Sequence, residues 1–109
     1  MLAALLNRSS QPDDIILKVA QAFDVTIDRL LGRGRSREVV VPRQVAMYLL
    51  REEANCSLPA IGHALGGRDH TTVMYGCQKV ADMLERDDRL RRQVIKLREQ
   101  LYGSTNFTD

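Results

Sequence analysis

The side chains best placed to do chemistry gather where Gly66-Gly67-Arg68 gives way to Asp69-His70-Thr71-Thr72. Asp69 suits the N-cap of a helix, because its carboxylate can accept from a free backbone N–H of the first turn. Beyond it, Val73, Cys77, Val80 and Leu84 recur at helical spacing and form a buried stripe, which leaves Thr71, Tyr75, Gln78 and Lys79 facing away. Upstream, Ser57 can cap a short helix over Leu58–Leu65, with Pro59 tolerated in its first turn. A short helix, a three-residue turn containing glycine and a longer helix with a polar N-terminal end have the lengths of a helix-turn-helix. The second helix of that motif reads the DNA major groove with its first turns. Other helical hairpins share this pattern, so spacing alone does not decide.

The other reactive types point to no enzyme. His63 and His70 have no spaced carboxylate or cysteine partner, so no metal site is expected. No catalytic residue is assigned, since there is neither a nucleophile–base pair nor an acid cluster at ligand spacing. Gly32-x-Gly34 lacks the lysine and hydroxyl of a phosphate loop. Cys56 and Cys77 are the only cysteines, which excludes a disulfide framework, and Cys77 reads as a small core residue. Arg33, Arg35 and Arg37 alternate through Gly32–Val41, a stretch expected to be a loop. They read either as a solvated charge run or as contacts to a polyanion.

These residues must be positioned by helices, because strand signals are nearly absent. Pro12-Asp13-Asp14 reads as a helix start, followed by Ile15, Ile16, Val19, Ala20 and Phe23 on one face. A second helix is expected from Thr26 to Leu31. A third is expected with Pro42 at its first position, carried by Val45, Tyr48 and Leu49 to about Asn55. The last helix starts near Asp88 with Leu90, Val94, Leu97 and Leu101 inward, and Gly103–Asp109 should fray. The chain of 109 residues supports one small domain. Its net charge of +2 is unevenly spread: residues 1–28 sum to −2, residues 29–79 to +4, and residues 80–109 cancel. Thirteen of the sixteen basic residues are arginine, the side chain whose planar fork matches phosphate and guanine. A basic middle third favours a polyanion partner. The apolar run Met1–Leu6 is too short for a membrane span or a secretion signal, so a cytoplasmic setting is expected.

The uninterrupted run Gly66-Gly67-Arg68-Asp69-His70-Thr71-Thr72-Val73 resembles the signature of the C-terminal DNA-binding domain of DnaA, the bacterial chromosomal replication initiator. Arg35-Ser36-Arg37, Pro42 to Leu49 and Ser57 to Gly62 are similar to the same family, and the likeness covers roughly residues 12–102. Ala60, Tyr75 and Gly76 depart from its usual residues. The resemblance implies an all-α domain of about six helices, a helix-turn-helix related to the Trp-repressor type. Residues 12–109 would form it, and residues 1–11 would be a linker or the end of a connecting helix. It further implies double-stranded DNA as partner, at DnaA boxes of about nine base pairs in replication origins. Carried over residue by residue, Asp69, His70 and Thr71 would contact base edges in the major groove, and Arg35 would enter the minor groove. Arg43, Pro59, Thr72 and Lys79 would contact phosphates. The chemistry agrees: a carboxylate accepts from cytosine N4, and a threonine methyl packs on that of thymine.

A stand-alone helix-turn-helix regulator is the alternative function. No cofactor is expected in this chain, since ATP in DnaA-like initiators binds an upstream AAA+ module and no Walker A motif is present. A monomer is expected.

Overall fold

The structure, a computed structural model, describes residues 11–103. Among them it contains six helices and no strand: α1 Pro12–Phe23, α2 Ile27–Leu31, α3 Arg37–Glu52, α4 Leu58–Ala64, α5 His70–Arg86 and α6 Asp88–Gly103. The expected linker, apart from Gln11, and the expected fraying beyond Gly103 lie outside the described residues. The all-α expectation and the number of helices agree with this architecture.

Local chemistry sets most of the boundaries. Pro12 opens α1 with Asp13 and Asp14 in its first turn, and Asp24 closes it in the left-handed conformation at φ 56°. The Thr26 hydroxyl accepts from Arg29 N at 3.1 Å, and that of Ser57 accepts from Ala60 N at 3.2 Å, capping α2 and α4. The chain turns at Asp87, whose side chain accepts from Leu90 N at 3.0 Å and so caps α6.

Helix α3 departs from expectation at both ends, closing at Glu52 rather than about Asn55 and starting earlier than Pro42. Gly32–Val41 is not a continuous loop: α3 begins at Arg37, and Pro42 stands in its second turn rather than at its first position. The helix thus gives up the hydrogen bond that Pro42 cannot donate. Packing explains the exchange. Val39 is buried, as are Pro42, Val45, Ala46, Met47, Leu49 and Leu50, so the early start puts one more apolar turn into the core. Burying a valine contributes about 1.5–3 kcal/mol, comparable with the penalty of about 3 kcal/mol for an internal proline.

Helix α3 is the central element, packed against α1, α2, α4 and α5, while α6 closes the far side against α1 and α5. The stripe on α5 is buried at Val73, Cys77 and Val80 and half-buried at Leu84, with Gly76 and Met83 joining it. Leu90, Val94, Leu97 and Leu101 of α6 are all buried, as a core stripe should be. Gly76 does more than weaken α5: a Cβ there would come within 2.5 Å of Met47 Sδ, so the missing methyl lets α3 approach.

The tightest crossing is between α4 and the chain entering α5. Gly62 is buried, and its carbonyl accepts from Gly67 N and Arg68 N, both at 2.9 Å. A Cβ at Gly62 would lie 2.0 Å from the Arg68 carbonyl oxygen, a backbone atom that cannot turn aside. Gly62→Ala should therefore cost about 3 kcal/mol, the upper end of overpacking penalties. Thermal unfolding followed by circular dichroism should show a melting temperature lower by more than about 10 °C.

Candidate nucleic-acid interface

Asp69 is the N-cap of α5, with its Oδ2 accepting from Thr71 N at 3.3 Å and from the Thr71 hydroxyl. Its other oxygen, Oδ1, lies 3.6 Å from His70 Nδ1 in solvent. The hydroxyl bond from Thr71, ahead of the smaller contribution of His70, holds the Asp69 carboxyl below its ordinary pKa. The cap is therefore fully present above the usual carboxylate range, and is lost only as pH falls through the lowered value. Asp69, His70, Thr71 and Thr72 are all exposed, and so is Pro59 on the first turn of α4.

The exposed face of α5 changes character along its length. Tyr75 (62% exposed), Gln78 and Lys79 continue the polar surface from Thr71 without a carboxylate. Asp82 and Glu85 follow, and Gln78 donates to Asp82 at 3.3 Å. The first half of this exposed face is thus free of carboxylates beyond the cap, while the second half carries Asp82 and Glu85 beside Arg86.

The basic loop is built from the opposite direction. Arg33, Arg35 and Arg37 are exposed, whereas Arg43 is not: it is 5% exposed, the only buried charged residue among those described. Its Nε donates to the Leu30 carbonyl at 2.7 Å, one terminal nitrogen to Gly34 at 2.9 Å and the other to Arg29 at 3.0 Å. Arg43, expected to contact phosphate, gives three of its donors to backbone carbonyls. Its guanidinium is turned inward and committed to the backbone that carries the loop.

Arg68 does the same from the other side, and sequence reasoning missed it. It donates to the Leu31 carbonyl at 3.2 Å and to the carbonyls of Gly32 and Leu65. Burial lowers the pKa of both arginines, and nearby cations lower it further, Arg68 acting on Arg43 and Arg33 on Arg68. Apart from Gly34 in the loop, the acceptors are carbonyls at the C-terminal ends of α2 and α4, where orphan acceptors and partial negative charge favour a cation. Gly66 seals the contact, since at φ +84° its absent Cβ would lie 2.3 Å from the Leu31 carbonyl oxygen. The loop bearing Arg33 and Arg35 thus sits directly against the turn that leads into Asp69.

Such an arrangement of α4, turn, α5 and clamped basic loop can be compared with known proteins. A family profile described as the bacterial dnaA protein helix-turn-helix matches residues 12–80. The chain belongs to the bacterial dnaA helix-turn-helix family. It is similar to the chromosomal replication initiator protein DnaA of Roseiflexus castenholzii, 56% identical over 85% of this chain and 19% of that protein. It is likewise similar to DnaA of Herpetosiphon aurantiacus, 53% identical over 94% of this chain and 22% of that protein. With DnaA of Thermus thermophilus it shares 50% identity over 83% of this chain and 21% of that protein. The chain therefore spans about a fifth of the length of these relatives. The matched region of the dnaA family includes both arginine clamps and the exposed polar half of α5. Among the described residues no group of His, Cys, Asp and Glu could hold a metal ion, and no helix is long and apolar enough to cross a membrane.

The cap itself is testable without any ligand. Asp69→Ala should destabilise the domain by about 0.5–2 kcal/mol, whereas Asp69→Ser, which restores an N-cap acceptor, should melt close to the native chain. Urea unfolding at neutral pH checks both.

Proposed function

We propose that this chain binds double-stranded DNA at DnaA-box sites of a replication origin and serves the initiation of chromosome replication through that binding. The first turns of α5 enter the major groove, where Asp69, His70 and Thr71 read base edges, and Arg35 of the loop enters the adjacent minor groove. Thr72, Lys79 and Pro59 meet the backbone. Arg43 shapes the loop through its bonds to the carbonyls of Arg29, Leu30 and Gly34. The chain binds as a monomer, and ATP belongs to an AAA+ module outside it. The observation that carries this reading is the pairing of an exposed, carboxylate-capped polar helix end with an exposed arginine loop held beside it.

The deciding experiment is a competition between a labelled DnaA-box duplex and the same duplex scrambled. The expected result is preferential binding of the box by at least about 10³-fold, as for sequence-specific binders. Equal competition would reduce the surface to a general polyanion site, and preference for an unrelated operator would make it a stand-alone regulator. With about four phosphates neutralised, log K should fall with log[salt] at a slope near −4, and Lys79→Ala should lower that slope by about one. Flat salt dependence would refute the phosphate contacts.

Two substitutions separate the grooves. Arg35→Ala should weaken box binding chiefly at an A·T-rich end, because a narrow minor groove concentrates the negative potential that attracts arginine. Asp69→Ser should lose about 1–3 kcal/mol of discrimination at one cytosine position while keeping its affinity for scrambled DNA. Titrations against single-base-pair variants of the box measure both.

A further inference from the structure

We infer that Arg68 is a positioning residue that holds the Arg35 loop at a fixed offset from α5, so that the two groove contacts operate as one unit. The inference rests on the two-groove reading above and adds a role for a side chain that touches no DNA. Three features of the structure carry it.

The first is span. Arg68 joins segments far apart in sequence, reaching the carbonyls of Leu31 and Gly32 across 37 and 36 residues while also donating to Leu65, three residues away. One guanidinium therefore bridges the end of α2, from which the loop departs, and the end of α4, from which the turn departs. The second is position. Arg68 immediately precedes Asp69, the first residue of the exposed polar end, so any shift of its backbone is a shift of α5's entry. The third is the absence of slack. Gly66 touches the Leu31 carbonyl with no room for a methyl, and Gly62 touches the Arg68 carbonyl in the same way. Arg43 fixes the loop from below through Arg29, Leu30 and Gly34, so the segment 29–34 is held on two sides by forks with several donors each. The nearby Arg33 cation adds to burial in lowering the pKa of Arg68.

A double-mutant cycle on the full chain tests this. Arg68→Gln, Arg35→Ala and the double variant are titrated against the box duplex and against a duplex whose A·T-rich end is replaced by G·C. Arg35→Ala is expected to lose roughly tenfold on the box and to stop distinguishing the two duplexes. Arg68→Gln should reproduce most of that loss on the box and change binding to the substituted duplex by less than about twofold. The double variant should then be no worse than Arg35→Ala alone, which is the signature of coupled sites. In parallel, trypsin cleavage after Arg33 and Arg35 should accelerate in Arg68→Gln while the helical circular dichroism persists.

If Arg68→Gln unfolds below the assay temperature, Arg68→Lys takes its place in the cycle. Lysine keeps the charge but lacks the fork that joins both segments, so the same pattern is expected with a smaller loss. Losses that are equal on both duplexes and multiply with Arg35→Ala would overturn the inference, as would unchanged binding or full discrimination by Arg68→Lys. If Arg35→Ala itself keeps full discrimination, the groove reading falls and this inference with it. If Arg35→Ala loses discrimination and the Arg68 variants do not, the positioning role alone is refuted.

Discussion

Two buried or half-buried guanidiniums facing the carbonyl ends of two short helices hold this domain's exposed surface in place. Helix α2 has five residues and α4 seven, too short to be stable alone, and each ends in acceptors that no further turn satisfies. Arg43 and Arg68 supply donors to those ends from outside the helices. Removing an arginine from such a site costs more than its own bonds, because the carbonyls it leaves in a part-buried setting lose their partners too. The basic loop, the turn and the cap of α5 all rest on this pair of contacts, and none has a sheet or a disulfide to hold it instead.

Much of the architecture was legible from residue spacing. The four apolar residues of α6, the proline starts of α1 and α4 and the capping residues Thr26, Ser57 and Asp69 all stand where local physics puts them. These signals are short-range, and a short-range signal can be read from neighbouring letters. The start of α3 could not be read that way. Three β-branched residues followed by proline disfavour a helix locally, and only burial of Val39 and Pro42 in the core makes the helix the more stable choice.

The exposed site was legible to the same degree and for the same reason. Asp69 announces itself as a cap, and the exposed face of α5 follows from the stripe opposite it. The arginines do not declare themselves. Arg35 and Arg43 are the same letter eight positions apart, yet one is in solvent and the other is 5% exposed, a difference that exists only once α2 has folded back over α3. Arg68 lies inside the most recognisable stretch of the chain, but two of its three partners, Leu31 and Gly32, are 37 and 36 residues upstream, where no pattern of spacing points.

The two oxygens of Asp69 divide their work. Oδ2 is committed to the backbone and hydroxyl of Thr71, while Oδ1 faces outward beside His70. A side chain already frozen for the sake of the helix has little rotational freedom left to lose when something meets its open oxygen. Ordering exposed side chains usually consumes about 0.5–1.5 kcal/mol apiece on association. Here that loss has been taken at folding, so the open lone pairs of Asp69 and the methyl of Thr71 are offered to a partner as one rigid template.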